Sequence, residues 1–138
     1  MGQMLKVHDC TAICAPTPAQ IAALASLTGP QDIYDGFRQA LADRREIIMR
    51  RLTAMAPGVT YVPPAGAFYV MAHYDLPLPP MEVATRLIRE ARVITIPGDS
   101  FGPGGQGSLR LSFGGDEAEL ETACDRLAAW LADPSSAS

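Results

Sequence analysis

The residue best suited to binding a small molecule is Arg110, in the run Ser-Leu-Arg-Leu-Ser-Phe of residues 108–113. Polar and apolar residues alternate along this run, which predicts a strand with Leu109, Leu111 and Phe113 on one face. Arg110 then points away from the apolar face. Its planar guanidinium can bind a carboxylate through two parallel hydrogen bonds. Arg110 is therefore either a carboxylate ligand or a surface arginine in a structural salt bridge.

The other reactive side chains show no spacing typical of a metal or catalytic site. Cys10, Cys14 and Cys124 lack a CxxC pattern, and we interpret them as buried, reduced thiols. His8 and His73 have no partner at a metal-ligand or acid–base spacing, so each is expected at a surface or interface.

The loop of residues 98–107 contains five glycines but is not a phosphate-binding loop. It lacks the Gly-Lys-Ser/Thr ending, and a strand rather than a helix follows it. We interpret it as a connection between two strands.

Composition limits the classes of function. A chain of 138 residues suits one compact core, and its net charge of -4 offers no cationic surface for nucleic acid. No run approaches the roughly 20 apolar residues of a membrane span, and the first ten residues do not resemble a signal peptide. We expect a cytoplasmic protein that binds neither nucleic acid nor membrane.

Hydrophobic spacing predicts the elements that would position Arg110. The predicted helices cover residues 18–27, 32–56, about ten residues around 83–91, and 116–132, and the predicted strands cover residues 59–62, 67–72, 93–96 and 108–113. Asp116 is the expected N-cap of the last helix. The arginines of the long second helix are expected on a solvated face, weakly paired with Asp43 and Glu46.

This order of elements predicts an α/β (α+β) fold, a two-layer sandwich of helices on a small mixed, largely antiparallel sheet. Residues 134–138 are expected to form a disordered tail.

Four stretches, taken in order, resemble the closing third of the class I/II aminotransferases, the pyridoxal-phosphate enzymes of the aspartate aminotransferase fold type. They are residues 16–24 (Pro-Thr-Pro-Ala-Gln-Ile-Ala-Ala-Leu), 64–70 (Pro-Ala-Gly-Ala-Phe-Tyr-Val), 93–102, and 108–113. The resemblance implies the small-domain fold of that family, preceded by a long interdomain helix. It also implies that residues 1–30 are a remnant of the large domain and residues 31–133 the C-terminal small domain.

The resemblance also implies roles for individual residues. Arg110 matches the arginine that holds the substrate α-carboxylate, and Gly66, Ala67 and Phe68 match the strand that lines the substrate side. Phe68 and Tyr69 are equally well explained as the core and surface residues of a strand. Thr11, Cys14 and Thr17 match a segment near the neighbouring subunit's active site, but loop polarity explains them as well.

No residue of this chain matches the lysine that carries pyridoxal phosphate. Lys6 is the only lysine, and it lacks the sequence context of the family's lysine. We therefore expect a C-terminal portion of an aminotransferase that is inactive alone, binds no cofactor specifically and has no catalytic residue. The expected ligand is an amino acid or 2-oxo acid, and the expected partner is a second copy or the missing large domain. An amino-acid-binding, regulatory or interaction module without catalysis is the alternative.

Overall fold

The sheet has four antiparallel strands in the order β1-β2-β4-β3. The computed structural model describes residues 2–133. The strands are β1 (Val59–Tyr61), β2 (Tyr69–Tyr74), β3 (Ile96–Pro97) and β4 (Ser108–Ser112). β2 pairs with β4 so that Met71 faces Arg110, and β3 pairs with β4 so that Ile96 faces Arg110. The predicted two-layer α/β fold is confirmed, with every pairing in the described residues antiparallel.

Five α-helices accompany the sheet in the described residues. They are α1 (Gly2–Thr11), α2 (Thr17–Thr28), α3 (Asp32–Ala54), α4 (Pro80–Arg86) and α5 (Glu117–Ala132). A π-helical turn, Leu87–Ala91, continues α4. None of the helices in residues 2–133 is long and apolar enough to span a bilayer.

The chain divides after Arg38, within α3, into two compact units. The predicted domain boundary near residue 30 remains a prediction, and the predicted tail of residues 134–138 lies outside the described residues.

The first unit consists of α1, α2 and the start of α3. Gln31 and Tyr34 both donate to the Ser26 carbonyl, at 3.1 and 3.2 Å, and so connect the turn after α2 with the first turn of α3. Neither α1 nor α2 has a buried residue. Cys10 and Cys14 are exposed, so the prediction of buried thiols is wrong for both.

The second unit contains the core. Strand alternation places Leu109 and Leu111 in this core, as predicted, and Phe113 beyond the strand end is also buried. The helices contribute buried side chains from α3, α4, the π-turn and α5: Ile48, Leu52, Val83, Leu87, Leu120, Cys124, Leu127 and Trp130. The prediction of a buried thiol is thus confirmed for Cys124.

Two arginines of α3 pair with α5 rather than with their own helix. Arg50 lies 2.8 Å from Glu121, and Arg51 pairs with both Glu121 and Asp125. Within α3, Arg45 lies 3.8 Å from Glu46, as predicted, and Arg38 pairs with Asp35, whereas no arginine of the described residues forms an ion pair with Asp43. Arg50 and Arg51 therefore connect two helices over the core.

The predicted strand of residues 93–96 overlaps the observed strand β3, Ile96–Pro97, at Ile96 alone. Arg92 adopts a left-handed conformation with φ 58° and ends the π-turn. The Val93 N–H then donates to the Leu87 carbonyl at 3.1 Å. Because that donor is satisfied by the preceding helical turn, pairing with β4 begins only at Ile96.

Candidate functional site

Arg110 projects from the face of the sheet opposite the core. Its neighbours in β4, Leu109 and Leu111, belong to the core cluster, and successive side chains of a strand point to opposite faces. Met71 of β2 and Ile96 of β3 flank Arg110 on its own face. The predicted orientation of Arg110 is therefore the observed one.

The Arg110 guanidinium contacts two aromatic rings. Its Cζ atom is 4.7 Å from the ring centroid of Tyr69, at the start of β2. It is also 4.7 Å from the ring centroid of Phe101, in the loop after β3. Within residues 2–133 no carboxylate pairs with this guanidinium and no acceptor bonds to it.

This arrangement leaves the guanidinium free to bind an anion. Rings attract a guanidinium through its planar face, whereas its N–H donors lie in its own plane and point outward. A half-buried cation that has no counter-ion in residues 2–133 gains most from a ligand that brings both a charge and two acceptors. A carboxylate has that chemistry.

Close backbone packing brings Phe101 over Arg110. A Cβ on Gly98 would overlap Ser108 and the Gly105 carbonyl, and a Cβ on Gly105 would overlap Gly98. Ser108, which is fully buried, donates its hydroxyl to the Gly105 carbonyl at 2.7 Å. The glycine-rich loop is therefore closed on itself and against β4, with Phe101 at the end of a short 3-10 turn, Gly98–Phe101.

Residues 66–68 form the approach to β2 rather than part of it. Phe68 packs edge-on against Tyr69 at 4.8 Å between ring centroids, and its carbonyl accepts from the Phe113 N–H at 2.8 Å. Ala67 has φ 61°, a left-handed conformation that is unusual for a residue with a Cβ. Gly66 borders open space. Phe68 therefore joins the aromatic cluster around Arg110 through Tyr69, whereas the substrate-lining roles of Gly66 and Ala67 remain predictions.

Sequence reasoning missed Tyr69 and Phe101 as contacts of Arg110. Tyr69 could have been found, because it lies on the same face as Met71, the residue paired with Arg110. Phe101 lies in a loop without periodicity, and its only signal was a large aromatic residue among glycines.

The described residues do not fit pyridoxal phosphate. A cofactor with an aldehyde and a phosphate needs an amine to carry it and several converging donors for the phosphate. Lys6 is on the exposed helix α1, which contains no other lysine or arginine. The glycine-rich loop is occupied by its own contacts. Residues 2–133 also hold no group of three or more potential metal ligands.

The chain matches the family model "Aminotransferase class I and II" over residues 2–127. It is 32% identical to the aromatic-amino-acid aminotransferase 2 of Thermococcus litoralis, covering 91% of this chain and 32% of the relative. It is 36% identical to the aspartate aminotransferase of Geobacillus stearothermophilus, covering 79% of this chain and 28% of the relative. The chain thus spans about a third of the length of these curated relatives.

Solved structures give the same result. The alanine aminotransferase of Pyrococcus furiosus matches with a TM-score of 0.80 and 34% identity, over 87% of this chain and 31% of that protein. The aromatic aminotransferase of Pyrococcus horikoshii matches with a TM-score of 0.83 and 30% identity, over 96% of this chain and 36% of that protein.

Proposed function

The chain belongs to the class I and II aminotransferases, and from this we propose that it is the carboxylate-binding portion of an enzyme that transfers amino groups between amino acids and 2-oxo acids. The observation that carries the proposal is Arg110, a guanidinium that contacts two rings and has no counter-ion in the described residues. Both substrate classes present a carboxylate next to the reacting carbon. One arginine that binds a carboxylate, a carboxylate clamp, can therefore serve both amino acids and 2-oxo acids.

Pyridoxal phosphate, the cofactor of this family, supplies the electron sink of the reaction. The residues described here supply orientation. Arg110 binds the α-carboxylate at its in-plane donors, and the rings of Tyr69 and Phe101 limit its rotation. We place the cofactor-carrying lysine and the proton transfers in a segment other than these 138 residues, because Lys6 does not fit the cofactor.

The relatives are named for substrates with different side chains. The relatives are named for aromatic amino acids, for aspartate and, among the solved structures, for alanine. These side chains differ in size and charge, and what they share is the amino acid's own amino and carboxylate groups. We therefore assign Arg110 to the shared part of the substrate.

The partner we propose is a large cofactor-binding domain or a second copy of the chain. Large apolar side chains are exposed across the first unit: Met4, Leu5, Val7, Ile13, Ile21, Leu24, Leu27, Ile33 and Phe37. Exposed apolar surface of this kind is typical of a protein interface. Light scattering of the purified chain distinguishes a dimer from a monomer that awaits another domain.

The carboxylate clamp is tested by titrating the chain with pyruvate or L-alanine and following binding by NMR. A single bidentate clamp predicts a Kd of about 1 mM or weaker. Arg110→Gln should weaken binding about ten- to a hundred-fold, the effect of losing a charged hydrogen-bonded pair. Arg126→Gln, which changes an exposed arginine of α5, is the matched control. Unchanged binding in Arg110→Gln would rule the clamp out.

The placement of the lysine is tested separately. The chain is mixed with pyridoxal phosphate and reduced with borohydride, and the modified peptides are mapped by mass. We expect no adduct on Lys6 that an amino acid displaces. Such an adduct would mean that the chain carries its own cofactor.

The lack of a fitting lysine also favours a second candidate, an amino-acid-binding or regulatory module without catalysis. Mixing the chain with the cofactor-binding domain of a related aminotransferase separates the two functions. Transaminase activity that depends on Arg110 favours the enzyme, whereas carboxylate binding that never leads to activity favours the module.

A further inference from the structure

Phe101 is a large apolar side chain that the core does not use. It is 55% exposed and absent from the core cluster. Nevertheless, the loop that carries it is fixed by the contact between Gly98 and Gly105 and by the buried hydroxyl of Ser108. The loop therefore holds this ring outside the core.

The Phe101 ring shares its contact with Arg110 with the Tyr69 ring. The two rings lie at the same distance, 4.7 Å, from the Arg110 Cζ atom. They come from different elements, Tyr69 from β2 and Phe101 from the loop after β3. With a ring from each element, the guanidinium has two aromatic contacts, and no residue in the range 2–133 accepts a hydrogen bond from its donors.

We propose that Phe101 is a positioning residue, which together with Tyr69 holds the Arg110 guanidinium in the orientation that receives a substrate carboxylate. The inference rests on the function proposed above. A carboxylate partner within the protein could also fix an arginine, but it would occupy the donors that the substrate needs. Aromatic rings fix the side chain and leave its charge and its in-plane donors available.

The expected benefit is preorganisation of the clamp. A free arginine side chain must be ordered when it binds, and each immobilised side chain of this kind weakens binding by about two- to ten-fold. Loss of one ring should therefore weaken carboxylate binding within that range. It should also make the guanidinium more mobile before any ligand is added.

The test compares Phe101→Leu, which keeps an apolar side chain but no ring, with Phe101→Tyr, which keeps the ring. Phe37→Leu is the matched control, because Phe37 is another exposed phenylalanine and has no cation–π contact in the described residues. The first readout is the NMR order parameter of the Arg110 Nε–H group in the free chain. The second is pyruvate affinity, and thermal unfolding checks that each variant is folded.

We expect Phe101→Leu to lower the order parameter, on a scale where about 0.85 is rigid and below about 0.6 is flexible, and to weaken pyruvate binding. Phe101→Tyr and Phe37→Leu should match the original chain. If Phe101→Leu fails to fold, Tyr69→Leu removes the other ring and is expected to have the same two effects. An order parameter and affinity that do not change when a ring is lost would overturn the inference. If the original chain binds no carboxylate although Arg110 is ordered, the proposed function fails instead.

Discussion

The indole N–H of Trp130 donates to the Glu90 carboxylate at 2.6 Å and so connects α5 with the π-turn that follows α4. Arg86 donates to the other oxygen of Glu90 at 3.0 Å, and its guanidinium lies over the Trp130 ring at 5.4 Å. The three side chains form a polar cluster at the edge of the core. This cluster fixes the end of the segment that leads to β3 and the Phe101 loop.

Acid should weaken this cluster. The hydrogen bond from Trp130, and then that from Arg86, holds the pKa of Glu90 below its usual value of 4.5. A carboxylate with a lowered pKa stabilises the fold above about pH 4.5, and that contribution is lost as the pH falls through the folded-state pKa. Glu90→Gln should therefore destabilise the chain more at pH 7 than at pH 3. Urea unfolding followed by fluorescence of Trp130, the only tryptophan, measures this.

Glu82→Gln, in the first turn of α4, is the control and should change the free energy of unfolding by less than about 0.5 kcal/mol at both pH values. If Glu90→Gln lowered the free energy of unfolding equally at pH 3 and pH 7, the charge of Glu90 would not be what stabilises this cluster.

Thiol labelling should distinguish the three cysteines. Burial raises the pKa of the Cys124 thiol, and the thiolate is the form that reacts. Cys10 and Cys14 are exposed. We expect two thiols to react rapidly in the folded chain and the third only after denaturant is added. A Cys10→Ser, Cys14→Ser double variant should show no rapid reaction, and rapid labelling of that variant would disprove burial of Cys124.

The N-cap of α5 should contribute measurably to stability. One Asp116 carboxylate oxygen accepts from the Ala118 N–H at 2.9 Å and the Glu119 N–H at 3.3 Å. Asp116→Ala should lower the free energy of unfolding by about 1 kcal/mol, whereas Asp116→Asn should be nearly neutral, since asparagine caps equally well. Equal losses in the two variants, measured by urea unfolding, would show that the cap's hydrogen bonds are not responsible.

Alanine substitutions at two adjacent glycines of the loop, Gly104 and Gly105, should differ in their effect on stability. Gly105→Ala should destabilise the chain by about 1 to 3 kcal/mol, because the new methyl group would overlap the backbone of Gly98. Gly104→Ala places its methyl group in open space and should be nearly neutral. The same urea measurement tests both. Equal stability of the two variants would mean that the contact between Gly98 and Gly105 does not hold the loop.

Periodicity predicted the elements that bury one face. β4 and α5 lie where alternation and three-to-four spacing placed them, because burial against a common core imposes those periods on the sequence. Helix α1 was not predicted, because its ten residues are too few to show a repeated helical spacing of apolar side chains. β3 is shorter than predicted. The apolar pattern of residues 93–96 does not show that the Val93 N–H donates to the Leu87 carbonyl instead of to a neighbouring strand.

The candidate site was predicted only at its centre. The alternation of β4 gave the orientation of Arg110, and the resemblance to aminotransferases gave its expected ligand. The two rings around it were not predicted, because the path of the loop depends on contacts between Gly98 and Gly105 that are remote from any periodic pattern. The roles of Gly66 and Ala67 depend on the substrate's position, which remains a prediction.

A cation whose neighbours are aromatic rings rather than carboxylates is not neutralised by them. This chain carries a net charge of -4, so on average it repels anions, whereas the open face of the sheet presents an arginine with no described counter-ion. Anionic metabolites should therefore be attracted to that face over a distance of about 10 Å, the screening length at 0.1 M salt. Raising the ionic strength should slow their association more than it speeds their release.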